Sequence, residues 1–103
     1  MYFGYFKGLP YERSTENFSD YLKLKNDIPK ANVISHIESL EEWLTSLPSK
    51  DIFTGEELHA GMYIDGDFTF PLEFLHYYKN YDIGIPYEYE AYLNEILKQP
   101  PNR

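Results

Sequence analysis

The strongest constraint on the fold is local. Residues 61–70, "GMYIDGDFTF", set Asp65-Gly66 between two runs in which aromatic and aliphatic side chains alternate with small or polar ones. Asp-Gly is among the strongest short hairpin signals, because a tight two-residue turn needs positive φ and glycine adopts it without a steric penalty. Read as a type I′ turn at Asp65-Gly66, the register places Ile64 opposite Asp67, Tyr63 opposite Phe68 and Gly61 opposite Phe70. Tyr63, Phe68 and Phe70 then share one face, with the Phe70 ring over the bare Gly61 backbone. Pro71 ends the ladder and opens a helix, "PLEFLHYYKNY".

The flanking elements follow from periodicity. "MYFGYF" is aromatic and β-prone and reads as a first strand. "TENFSDYLKLKN" places Phe18, Tyr21 and Leu22 at helical spacing behind Thr15 as cap, and Pro29 stops it. "KANVISHI" reads as a short strand. In "SLEEWLTSLP", Leu40, Trp43, Leu44 and Leu47 fall at i, i+3, i+4 and i+7. Ser39 and Glu42 there form a capping box, and Ser35 with Glu38 a second, so a helix with a buried Trp43 is expected. "SKDIFTGEELHAG" reads as a loop with one helical turn at most. Gly84 precedes a last helix that Pro86 opens, "PYEYEAYLNEILKQ", with Tyr89, Tyr92, Leu93, Ile96 and Leu97 as its apolar stripe. The expectation is an α+β fold: a small, mostly antiparallel sheet with a hairpin at 61–70, covered by three to four helices. The 103 residues make one domain, 1–98, with a frayed tail at 99–103.

Composition narrows the chemistry. Seven Phe, eleven Tyr and one Trp supply most of the packing surface, at roughly 150–250 Å² each. There is no cysteine, which removes disulfides, thiol nucleophiles and zinc-thiolate sites and suits a reducing cytosol. No basic leader and no long apolar run is present, so neither secretion nor a membrane is expected, and the cytoplasm is the expected location.

Three patterns invite a catalytic or metal reading. Asp65-Gly66-Asp67 resembles the start of a calcium loop, but such a loop needs an oxygen ligand, a glycine and a glutamate where this chain has Thr69, Phe70 and His76. Glu-x-x-His occurs twice, at Glu56–His59 and Glu73–His76. Di-iron bundles use that spacing on long helices, and the first copy is confined between Gly55 and Gly61. His36 would complete a three-histidine set, yet no spacing supports it. None of the six serines lies in a G-x-S-x-G elbow, and no phosphate-binding glycine loop occurs. The expectation is therefore a non-enzyme without cofactor or metal.

Charge points to a protein partner. Net charge is −8. Residues 1–50 carry seven acids and six bases, or −1, while residues 51–103 carry ten acids and three bases, or −7. Such a field repels nucleic acid and anionic lipid and accelerates encounter with basic surfaces. Tyrosines interleaved with acids suit a contact face, because Tyr brings a large area at low entropic cost. The candidate partner-binding residues are Asp65 and Asp67 at the turn, with Tyr81, Asp82, Tyr87, Glu88 and Glu90 in "NYDIGIPYEYE".

In size, acidity, lack of cysteine and the order "SLEEWLTSLP", "YIDGDF", "PLEF", roughly residues 33–98 of the chain resemble bacterial toxin-immunity proteins of the contact-dependent growth-inhibition type. The resemblance implies a protein without catalysis of its own that covers the active site of a cognate, basic toxin, often a nuclease. Two other classes fit the same residues: an acidic, phage-type nucleic-acid mimic blocking a host defence enzyme, and a small carboxylate–histidine enzyme.

Overall fold

A computed structural model describes residues 1–97. They form four helices and a three-stranded antiparallel sheet, the α+β arrangement expected. The order is α1 (Phe18–Tyr21), α2 (Lys30–Glu38), β1 (Trp43–Lys50), β2 (Glu57–Asp65), β3 (Phe68–Pro71), α3 (Leu72–Asn80) and α4 (Tyr87–Leu97). The sheet order is β1-β2-β3, which leaves β1 at one edge. The tail at 99–103 lies outside the described residues.

The hairpin forms, one residue later than its Asp-Gly signal. Tyr63 pairs with Phe70 rather than Phe68, and Asp65 pairs with Phe68, so Gly66-Asp67 is the turn. Gly66 has φ +60 and no described non-glycine residue has a positive φ. Positive φ at the first turn position alone is the II′ pattern rather than I′. The slip is by two residues in pairing, and two is the period of a strand. Tyr63, Phe68 and Phe70 therefore still share the core face, all buried. Phe70 does not cover Gly61. Leu44 pairs with Gly61, and a Cβ there would collide with the Trp43 carbonyl oxygen, so the glycine lets β1 approach β2.

Two elements exchange identity. "KANVISHI" is helix α2, not a strand: Pro29 precedes it, and Val33 and Ile37, four apart, are both buried. "SLEEWLTSLP" is not a helix: Trp43–Lys50 is the edge strand, and Ser39 ends α2, its hydroxyl donating to the His36 carbonyl at 2.5 Å. Trp43 is 49 % exposed rather than buried. β1 carries an irregularity between Leu44 and Pro48, where three residues face only Ala60 of β2.

The N-terminal segment is extended but is not a strand. Tyr2 bridges Thr69 at the edge of β3, and Gly4 then turns the chain away at φ +79. α1 keeps only four residues of the predicted helix, with Asn17 rather than Thr15 at its start. The core lies between the inner sheet face and α3, of which Leu72, Glu73, Phe74, Leu75, Tyr77 and Tyr78 are all buried. Phe3 anchors it, stacked on Phe70 at 4.7 Å between ring centroids and near Tyr89 at 5.0 Å and Phe74 at 5.2 Å. Offset and edge-on ring pairs of this kind add to the area term.

Candidate functional site

The seven candidate residues separate into two groups. Asp65 ends β2 on the core face and is 5 % exposed. Tyr89 and Tyr92 of α4 donate their hydroxyls to it at 2.7 and 3.0 Å, and His36 Nε2 of α2 lies 2.8 Å away. Burial first, and then the Asp65 carboxylate, push the Tyr89 hydroxyl above its ordinary range and raise that of Tyr92. Asp65 is thus a clasp joining hairpin, α2 and α4, and no surface carboxylate. Glu90 is likewise engaged: it accepts from Asn26 Nδ2 at 2.9 Å and from the Asp27 and Ile28 amides at 2.7 and 3.1 Å. Burial raises its pKa, but these hydrogen bonds outweigh that and hold it below the ordinary value. Tyr81 donates to Asp51 at 2.9 Å.

Asp67, Asp82, Tyr87 and Glu88 are exposed. Asp67 is at the turn tip, beside Gly66, where an added Cβ would collide with the Tyr92 ring. Glu88 lies one helical turn before Tyr92 on α4. Asp82 and Tyr87 face the other way. Asp82 lines a cleft of about 380 Å³ with Lys30 and Gly84, and the Tyr87 hydroxyl accepts from the Lys25 amide at 3.3 Å. The predicted set is therefore not one continuous face.

Two further buried carboxylates build networks that the sequence did not show. Asp51, 3 % exposed, accepts from His76 Nε2 at 2.7 Å, from Tyr81, and from the Phe53 and Thr54 amides at 2.7 and 3.1 Å. Burial pushes its carboxyl up, yet the hydrogen bonds prevail and its pKa is lowered. Glu73, 1 % exposed, accepts from the Tyr11 hydroxyl at 2.7 Å and the Ser49 hydroxyl at 2.5 Å, while Tyr11 itself accepts from the Gly61 amide at 2.9 Å. Here burial dominates and the pKa is raised. The second Glu-x-x-His thus has both members in separate structural networks. His59 of the first copy is exposed on β2. Among the described residues, no group of three or more His, Cys, Asp or Glu is placed to hold a metal ion, and no helix is long and apolar enough to cross a membrane.

The largest departure from expectation is apolar. Trp43 pairs with Met62, Ile64 follows on the same face of β2, Thr69 pairs with Ile64, and Tyr2 bridges Thr69. Trp43, Met62, Ile64 and Tyr2 are all exposed. Leu44, on the opposite face of the edge strand, is 65 % exposed. The alternation of Met62 and Ile64 with Tyr63 and Asp65 was the signal for a two-sided strand. Compared with protein-family models, with curated proteins and with solved structures, the chain matches none.

Proposed function

We propose that this chain is a non-catalytic inhibitor of the immunity type, which binds and neutralises a basic, nucleic-acid-acting toxin in the cytoplasm. The observation that carries this reading is electrostatic. Asp67, Asp82 and Glu88 are exposed, and among the described residues none of them forms an ion pair with a cation of its own chain. Together with the net charge of −8, they give the chain an acidic field on more than one side, complementary to a surface already arranged for phosphates. Tyr87, 54 % exposed at the start of α4, supplies aromatic contact on the side of Asp82. The resemblance in size, acidity and lack of cysteine supports the same class. Asp65, Tyr81 and Glu90 serve this reading only indirectly, by fixing the hairpin, the end of α3 and the 26–28 loop.

The experiment is co-expression with the protein encoded by the adjacent open reading frame. The wild-type chain should rescue cells from it. Asp67→Lys, Asp82→Lys and Glu88→Lys together should abolish rescue, leave the melting temperature nearly unchanged, and slow association at low salt by on the order of tenfold or more. A wild-type chain that neither binds nor rescues removes the inhibitor reading. A triple variant with wild-type affinity and rate removes the acidic mechanism.

A further inference from the structure

We infer that the outward face of the sheet, the row Trp43, Met62, Ile64 and Tyr2, is a docking surface for a partner protein whose contact patch is apolar at its centre and basic at its rim. The inference rests on the reading of this chain as a binder of a basic protein and locates the contact. The row is continuous through strand pairing: Trp43 opposite Met62, Ile64 two residues on, Thr69 opposite Ile64, Tyr2 bridged to Thr69. All four apolar members are exposed, Tyr2 and Trp43 by about half and Ile64 by 47 %. Folded monomers rarely leave such contiguous apolar surface open without a partner.

Beside Met62 the face dips into a hollow of about 250 Å³ bounded by Tyr5, Tyr11, Arg13, Thr45 and Gly61. Interfaces concentrate their affinity where a large side chain fills such a pocket, and Trp and Tyr are the usual anchors. The rim selects the partner's charge. Glu41 precedes Trp43 by two residues, Asp67 lies at the turn beyond Ile64, and Glu12 borders the hollow, all exposed; Glu42 faces the other side, toward the Tyr63 hydroxyl. Against these three acids stand Arg13, whose guanidinium lies over the Tyr2 ring at 3.5 Å, and the amino terminus, bonded to the Asp67 carbonyl. A second copy would bring the same acidic rim, and another net charge of −8, against this one. Strand addition at the β1 edge is opposed by Pro48, which lacks an amide, and by the irregularity at 45–47. Side-chain docking by a basic protein satisfies all of these observations.

The probe is the purified product of the adjacent open reading frame, measured by calorimetry against the wild-type chain and against Trp43→Ser combined with Met62→Ser. Both positions are exposed, so the melting temperature should hold. The dissociation constant should rise on the order of 30-fold, the value for loss of one hot spot. Trp43 is the lone tryptophan of this chain. A selectively labelled chain carrying 5-fluorotryptophan should show that resonance accessible to a soluble spin label when free and protected in the complex. That second measurement decides the matter on wild-type protein if the double variant folds poorly. Binding by wild type with an unchanged double variant and an unprotected Trp43 overturns the docking surface while leaving the inhibitor reading intact. No binding by wild type removes that reading, and the surface with it. A dimer at neutral pH that the double variant dissolves makes the occupant a second copy and overturns the basic partner.

Discussion

Two aspartates separated by one glycine show how far local environment decides a residue's role. Asp65 and Asp67 look equivalent in "DGD", but a strand's period of two sends Asp65 into the core, while Asp67 stays on the tip. Removing Asp65 would strand two tyrosine hydroxyls and His36 without their acceptor, and each buried donor left unpaired costs about 1–3 kcal/mol. Asp65→Ala should therefore lower stability by at least about 2 kcal/mol, and Asp67→Ala by less than about 0.5 kcal/mol, in urea melts. Equal effects would mean that the clasp from Tyr89 and Tyr92 does not form. Gly66 between them is constrained twice. Its φ of +60 is strained for a side-chain-bearing residue, and an added Cβ would sit 2.8 Å from the Tyr92 hydroxyl. Gly66→Val should cost on the order of 1–3 kcal/mol, checked by the same melts. Trp43 reverses its expected part: being half exposed, Trp43→Ala should change stability by only about 0.5 kcal/mol, far from the value for a buried aromatic.

Hairpin, α3 and α4 were legible as elements because each carries its own punctuation: Gly66 at the turn, Pro71 before α3, Gly84 and Pro86 before α4. β1 and α2 were misread for a common reason. Leu40, Trp43, Leu44 and Leu47 satisfy a helical period, but a helical stripe stabilises a helix only if a core receives it. That place is filled by α3, buried on nearly every side, so the segment pairs with the open edge of β2 instead. Thr45, Ser46 and Pro48, poor helix formers, were the available hints. α2 carried the opposite hint in Val33 and Ile37, four apart behind Pro29, masked by β-branched composition. The networks of Asp51 and Glu73 were invisible because their partners come from distant segments, and the two respond to pH with opposite sign. The Asp51 carboxyl is held below its ordinary 3.8 in the folded chain, so its contribution is present above that pH and lost as pH falls through the folded value. Glu73 is raised above its ordinary 4.5, so its contribution is full below that pH and lost as pH rises through the folded value. The deficit of Asp51→Asn relative to wild type should thus shrink below about pH 3.8. Glu73→Gln should gain on wild type as pH rises above 4.5. Melts from below pH 3.8 up to neutral pH check both, and parallel curves for the two variants would mean that the burial and hydrogen bonding around these groups are not as described.

For the whole molecule, an exposed apolar face and a large negative charge are coupled requirements. A sheet face carrying Trp43, Met62, Ile64 and Tyr2 is a self-association hazard, the more so beside an open strand edge. A net charge of −8 on 103 residues opposes that association while favouring encounter with a basic partner. The same charge thus keeps the contact surface available and selects what meets it. Titration of the carboxylates should expose the coupling. As pH falls toward the isoelectric point near 4.7, self-repulsion fades while the apolar row is unchanged. Light scattering should therefore rise between pH 6 and 4.7, and rise earlier in high salt, where the Debye length shortens from about 10 Å at 0.1 M to about 3 Å at 1 M. Trp43→Ser with Met62→Ser should suppress that rise while leaving the net charge untouched. Asp67→Lys with Glu88→Lys should instead bring it on at higher pH, since each reversal replaces a negative charge by a positive one and leaves the apolar row intact. Scattering that follows pH identically in all three proteins would mean that association near the isoelectric point proceeds through some other surface, and that the charge does not serve to keep this one open.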